Sequence, residues 1–208
     1  MQGTGGERIT TEIVWVAPVG ALLLGYLLGS IPFGVILTRM GGAGDLRAIG
    51  SGNIGATNVL RTGRKGLAIA TLLLDALKGG VAIWIVAQIW PGEEVIAGLA
   101  AFLGHLYPVW LRLRGGKGVA TYLGIAAALS LECGAAFAVA WLAAFALTRR
   151  SSVGGIAATV VTPVVAALIG RFDLVIPLVA MTLLVLWKHR ENIDRLLAGT
   201  EPRVGSRA

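Results

Sequence analysis

The chain has 208 residues, is 56% hydrophobic and only 14% charged, and has a mean hydropathy of +0.79. Soluble domains carry about 25% charged residues, so these figures exclude a soluble globular domain and imply a polytopic membrane protein. Cys133 is the only cysteine, so no intrachain disulfide can form and the redox compartment is not legible.

The start, Met1 to Glu12, is polar and carries Arg8 beside Glu7 and Glu12. The apolar run that follows is too long for a signal-peptide core and meets no small-residue cleavage pattern, so it reads as a retained span. A bilayer core needs about 20 apolar residues per helix, and the first span is predicted over 13–37. Its end, Gly29-Ser30-Ile31-Pro32-Phe33-Gly34, is expected to bend or break, because proline removes a backbone donor. A long polar loop follows. Span 2 is predicted over 67–90 and span 3 over 95–111, separated by the turn Pro91-Gly92-Glu93-Glu94. The apolar stretch from Gly118 to Leu147 is too long for one span and reads as two short ones, 118–131 and 135–147, meeting near Leu131-Glu132-Cys133-Gly134. Spans 6 and 7 are predicted over 153–169 and 174–187, with a polar tail from 188 to 208.

Charge distribution tests this count. With strict alternation, 15 of the 18 basic residues fall on one side: Arg39, Arg47, Arg61, Arg64 and Lys65, then Arg112, Arg114 and Lys117, then Arg149 and Arg150, then Lys188, Arg190, Arg195, Arg203 and Arg207. The other side holds Arg8 and Arg171 among six acidic residues. The positive-inside rule then places the basic segments and the C-terminus in the cytoplasm and the N-terminus outside. The expectation is an all-α fold, a single membrane domain over 1–208 with seven transmembrane helices.

The polar segments concentrate the chemistry. The loop from Gly50 to Gly66 reads G-S-G-N-I-G-A-T-N-V-L-R-T-G-R-K-G. Gly50, Gly52 and Gly55 match the dinucleotide fingerprint literally, but a βαβ context is lacking. Their shared physics is close backbone approach to a phosphate and successive N–H groups that form an anion-binding concavity. Ser51, Asn53, Thr57 and Asn58 add neutral donors, and Arg61 and Arg64 add guanidinium forks that suit phosphate oxygens. The second segment, Arg114-Gly115-Gly116-Lys117-Gly118, combines a point charge with a helix start, which favours anions. It lacks P-loop spacing, so nucleotide triphosphates are not indicated. The third, Thr148-Arg149-Arg150-Ser151-Ser152, is basic with two serine hydroxyls. In the tail, His189, Asn192 and Arg195 share one helical face and Ile193 and Leu197 another. Glu201 follows, able to neutralise an arginine. The competing accounts are a re-entrant or merely flexible loop for the first segment, a topological anchor for the second and third, and a solvated amphipathic tail for the last.

Two features lie within the spans. Asp75 and Lys78, three apart on span 2, suit an ion pair, and intramembrane charges are paired or functional. His105 lies in span 3, with either packing or a site role open. Two histidines and one cysteine make no recognisable metal cluster, and neither H-x-x-x-x-D nor G-x-S-x-G is present. Such a site suits a substrate that is anionic and already activated.

Three motifs in order, G-S-G-N-x-G-A-T-N-V-L-R at 50–61, G-H-L-Y-P-V at 104–109 running into R-G-G-K-G-V-A-T at 114–121, and H-R-E-N-I-x-R-L-L-A-G-T-E-P at 189–202, resemble the bacterial acyl-phosphate:glycerol-3-phosphate acyltransferases over nearly the whole chain. The resemblance implies a seven-span enzyme of the bacterial inner membrane, with its site on the cytoplasmic side. It implies transfer of a fatty acyl group from acyl phosphate to the 1-hydroxyl of glycerol 3-phosphate, giving lysophosphatidic acid and phosphate. By motif position, Ser51, Arg61, His189 and Asn192 carry over as catalytic, and Lys117 with Gly115, Gly116 and Gly118 as glycerol-phosphate binding. Glu201 carries over as structural. Gly50, Gly52, Asn53, Gly55, Asn58, Arg64, Arg114 and Ser152 join the expected substrate-binding set, and Asp75 and Lys78 the structural one. No cofactor, metal or nucleic acid is expected. The partners are the two substrates and membrane lipids, and the protein is expected to act as a monomer. Two positions depart from the family pattern: Ile54 stands where proline is common, and Gly155 replaces the second serine of the segment that contains Ser152. The runner-up is a small-anion (phosphate) transporter, which would need a polar path that spans 4 to 7 do not offer. A lipid-binding scaffold ranks last, since polybasic attraction to headgroups needs no Gly-Ser-Gly-Asn pattern.

Overall fold

The computed structural model of the chain describes residues 5–49 and 52–205. Among the described residues it forms ten α-helices and no strand: α1 (Gly5–Gly29), α2 (Phe33–Met40), α3 (Ala56–Leu60), α4 (Lys65–Ile89), α5 (Glu94–Leu106), α6 (Val119–Leu129), α7 (Leu131–Thr148), α8 (Ser151–Leu168), α9 (Phe172–Lys188) and α10 (Arg190–Leu197). Long apolar sequence has no other choice in lipid, where every backbone polar group must be satisfied within its own segment. Five stretches are long and apolar enough to cross a membrane: Val14–Met40, Lys65–Ile89, Glu94–Leu111, Leu131–Thr148 and Ser151–Leu168. A sixth is counted if α9 and α10, which meet at a 61° bend, form one span; α6 is shorter.

The first apolar run breaks where Pro32 stands, between α1 and α2. Helix α7 begins at Leu131, four residues before the start predicted for span 5. Ser130 explains the difference. Its hydroxyl oxygen accepts the Cys133 N–H at 3.2 Å, a side-chain cap on an otherwise unpaired donor.

Small residues let the helices approach closely, as expected in lipid. Gly25 and Gly29 of α1 lie on the backbone of Ala97 and Ala101 of α5, and Gly124 of α6 on that of Ala76 of α4. The main core sits among α5 to α9. Tyr122 stacks on Phe137 at 5.3 Å between ring centroids and meets Phe102 edge-on. Its hydroxyl donates to the Leu178 carbonyl at 3.1 Å, and Thr182 donates to the Thr159 carbonyl at 2.7 Å. These bonds lock α6, α8 and α9 together, which fixes the ends that carry the basic loops. At the opposite end, Gly92, Glu94, Arg171 and Asp173 line one shallow groove. The polar loops therefore divide between two ends, and the beginnings of α4, α6, α8 and α10 share one of them.

Candidate active site

The first loop is built by its own side chains. Asn58, buried on α3, donates through its amide to the carbonyls of Leu46 and Ile49, each at 2.9 Å. These two bonds pin the chain just before the glycine-rich turn. Ile54 is buried beneath that turn, and its carbonyl lies against Gly34 of α2. The apolar residue at this departure from the family pattern thus anchors the loop by burial among Val35, Leu46, Val59 and Ala68. Gly50 and Ser51 lie outside the described residues. Gly52 has φ +67°, while Asn53 and Gly55 are half-buried beside one another. Arg61 caps the end of α3 and Arg64 the start of α4, both with exposed side chains.

The second loop folds back on the end of α5. The N–H groups of Gly115 and Gly116 donate to the carbonyls of Leu106 and His105, each at 3.1 Å. Gly118 follows at φ +83°, and a Cβ there would strike the Phe102 ring. Only glycine satisfies both demands. Arg114 is exposed, whereas Lys117 is turned inward.

The tail supplies the rest. Lys117 Nζ donates to the Asn192 side-chain carbonyl. The Asn192 amide donates in turn to Glu201 Oε1 at 2.7 Å, and the Ser152 hydroxyl donates to the same oxygen at 2.6 Å. Arg195 Nε donates to Glu201 Oε2 at 2.8 Å, and Arg150 Nε donates to the Glu201 carbonyl at 3.1 Å. One carboxylate therefore ties the second loop, the third loop and α10 into a single network. His189, buried at the bend between α9 and α10, lies within hydrogen-bond reach of the Val185 carbonyl through Nδ1 at 2.9 Å. A carbonyl only accepts, so Nδ1 carries the proton and Nε2 keeps its lone pair. Nε2 faces Gly155, close enough that a Cβ there would make van der Waals contact.

Electrostatics match this geometry. Burial, then repulsion from Arg195 and Arg61, lowers the Lys117 ammonium to about 8. Arg61, exposed at the end of α3, is the first-loop residue whose charge is felt at Lys117. Burial, then the Lys117 charge, lowers His189 to about 4, so it is neutral at pH 7. Burial opposes ionisation of Glu201, but hydrogen bonds from Ser152, Asn192 and Arg195 together leave its pKa below the ordinary value. The result is a neutral imidazole near the Lys117 ammonium, with the Glu201 carboxylate engaged by Ser152, Asn192 and Arg195. Cations and donors so placed suit an anion, and the Nε2 lone pair suits a hydroxyl proton.

Of the expected residues, the structure gathers Lys117, Ser152, Asn192 and Glu201, with His189 buried nearby, while Arg61 is exposed at the end of α3 and makes no described hydrogen bond to them. Asn58 serves the loop's own shape. Arg64 and Arg114 make no hydrogen bond to this network among those described. Asp75 and Lys78 pair at 2.8 Å between α4 residues below it. Two partners were not legible in the sequence. Arg150 reaches the tail backbone, and Lys188 lies over the Tyr107 ring at 4.0 Å while donating to the Leu106 carbonyl at 3.2 Å. Both contacts span many tens of residues, and no local spacing signals them.

Residues 19–199 match the family described as Glycerol-3-phosphate acyltransferase. A protein of that name from Mesorhizobium japonicum is 56% identical over 187 residues, covering 90% of this chain and 96% of its own. Another, from Methylorubrum populi, is 55% identical over 194 residues, covering 93% and 96%. The crystal structure of PlsY (YgiH), an integral membrane glycerol 3-phosphate acyltransferase, in its glycerol 3-phosphate form superposes with a TM-score of 0.85 at 37% identity, covering 90% of this chain and 96% of that one. Its lysophosphatidic acid form gives 0.83 at 35% identity, covering 89% and 94%.

Proposed function

This chain belongs to the glycerol-3-phosphate acyltransferase family, and from that membership we propose that it moves a fatty acyl group from acyl phosphate to the 1-hydroxyl of glycerol 3-phosphate. It is an integral membrane acyltransferase of phospholipid synthesis. The products are lysophosphatidic acid and inorganic phosphate. The observation that carries the reading is the Lys117–Asn192–Glu201–Ser152 network with the buried His189 near it.

The hydroxyl oxygen of glycerol 3-phosphate attacks the acyl carbon, and the bond from that carbon to the phosphate oxygen breaks. Lys117 and Arg61 hold the phosphates and offset their charge, so positioning supplies much of the rate. Ser51 and the glycine-rich backbone between 50 and 55 offer donors to the developing oxyanion. The hydroxyl proton passes to a phosphate oxygen. His189, whose Nδ1–H donates to the Val185 carbonyl, orients the attacking hydroxyl through its Nε2 lone pair.

Seven spans complete the reading, counting short α6 and α9, with α10 in the cytoplasmic tail. The N-terminus is outside, and the basic loops and the site lie on the cytoplasmic side of the bacterial inner membrane. The protein works as a monomer among membrane lipids, without metal. The test is phosphate release from palmitoyl phosphate and glycerol 3-phosphate by purified protein with a chelator present. Release that needs both substrates, and fails with palmitoyl-CoA as donor, is expected. Release with palmitoyl-CoA would overturn the donor assignment.

A further inference from the structure

The reaction above leaves three buried ionisable residues without a role. Asp75 and Lys78 of α4 and His105 of α5 are all nearly inaccessible. Lys78 Nζ stands 2.8 Å from Asp75 Oδ1 and donates to the Ile31 carbonyl at 2.9 Å, inside the break between α1 and α2. His105 Nδ1 lies 3.7 Å from the same Asp75 oxygen. Neither His105 Nδ1 nor Asp75 Oδ1 makes a hydrogen bond of full geometry. Charged groups are costly inside a membrane and mark functional places, and an apolar trio would pack at least as well.

The far side of the imidazole shows what the trio supports. His105 Nε2 lies directly against Gly116, leaving no room for a Cβ, and the His105 carbonyl accepts the Gly116 N–H. Lys117 is the next residue. At the other end of the chain of contacts, the break that holds Lys78 leads into α2, whose Gly34 seats the Ile54 carbonyl of the first loop. The trio therefore stands between the two anion-binding loops and touches the support of each.

We infer that Asp75, Lys78 and His105 are positioning residues that set where Lys117 stands relative to the first loop, and so govern the binding of glycerol 3-phosphate. This rests on the reading that Lys117 holds the phosphate of that substrate. A displaced Lys117 weakens ground-state binding of glycerol 3-phosphate while the acyl-phosphate contacts persist.

The test is steady-state kinetics of full-length His105→Leu and His105→Gln, the latter keeping a polar atom near Nε2. His105→Leu is expected to raise KM for glycerol 3-phosphate about tenfold, in line with the cost of small misplacements, with KM for the acyl donor unchanged and most of the loss recovered in His105→Gln. A purely structural role would lower kcat through the active fraction and leave both KM values alone; that result overturns the inference. In a Lys117→Ala background the His105 change is expected to add nothing, and an added loss of full size overturns it as well. Should His105→Leu not fold, Asp75→Asn is expected to show the same selective rise, and an unchanged KM there counts against the proposal. Should the wild-type protein show no turnover, the donor reading falls, and calorimetric titration of glycerol 3-phosphate into wild-type and His105→Gln proteins decides the inference. Weaker binding by the variant supports it; equal binding, or none by the wild type, overturns it.

Discussion

Asn192 offers its side-chain carbonyl to Lys117 only because Glu201 holds the other half of the amide. An amide flipped end for end would point N–H at an ammonium and oxygen at a carboxylate, so the orientation is fixed by charge on both sides. Asn192→Asp destroys that complementarity. A second carboxylate would stand 2.7 Å from Glu201 Oε1, and like charges at that range do not both ionise. The expected outcome is a loss of about 100-fold or more in kcat/KM, as for misplaced catalytic groups, with a lower melting temperature in detergent. Lysophosphatidic acid formation and a melting curve check the two effects separately.

Glu201 gives a stability prediction with a sign. Its folded pKa lies below its ordinary value of 4.5, so its contribution is fully present above that value and is lost as pH falls through the folded one. Wild-type protein is expected to lose melting temperature steeply below about pH 4.5, whereas Glu201→Gln starts lower and varies less with pH over that range. At pH 7 the variant should be destabilised by about 1.5–3 kcal/mol, the scale of hydrogen bonds to a charged group. Parallel acid-side curves for the two proteins would contradict this account.

Lys117 predicts an alkaline limb. With its pKa at about 8, the ammonium loses its charge at mildly basic pH, and KM for glycerol 3-phosphate should climb above pH 8. Lys117→Arg keeps its charge throughout, so its KM should be flat over the same range. That flat KM should also be higher, because a planar fork does not fit where a compact ammonium meets Asn192. The pH dependence of KM in the two proteins is the measurement.

His189 separates two bases. If substrate phosphate takes the proton, the acid limb of kcat/KM falls near pH 6, where a phosphate ester takes up its second proton, and persists at reduced rate in His189→Gln. Disappearance of the limb in that variant would assign the proton to the imidazole instead.

Gly118 tests the second loop's backbone. Alanine at φ +83° costs about 1–2 kcal/mol in strain alone, and the Phe102 contact adds to it. Gly118→Ala is expected to melt lower and to bind glycerol 3-phosphate more weakly, whereas Ala120→Gly two residues on should cost no more than about 1 kcal/mol.

Much of this arrangement follows from local chemistry. Pro32 announces the break after α1, since a helix cannot keep its donor there. Asp75 and Lys78 announce their pairing by three-residue spacing, and His189, Asn192 and Arg195 their common face by helical period. What local pattern does not carry is the meeting of distant segments. Nothing near Ser152 says that its hydroxyl finds a carboxylate 49 residues later. Nothing around Asn58 says that its amide N–H groups go to the carbonyls of Leu46 and Ile49. The Leu131 start of α7 was hidden for a smaller reason: Ser130 caps a helix that composition alone begins later.

Glu201 comes after every apolar helix in the chain, yet the second and third loops depend on it. The consequence lies in biogenesis. A nascent polypeptide still being threaded into the bilayer carries its glycine-rich and lysine-bearing loops without the group that arranges them. The Lys117–Asn192–Glu201–Ser152 network can form only once the last helix has been inserted and the tail has folded back beneath it. A half-inserted chain thus lacks that network, and its presence reports on completed assembly.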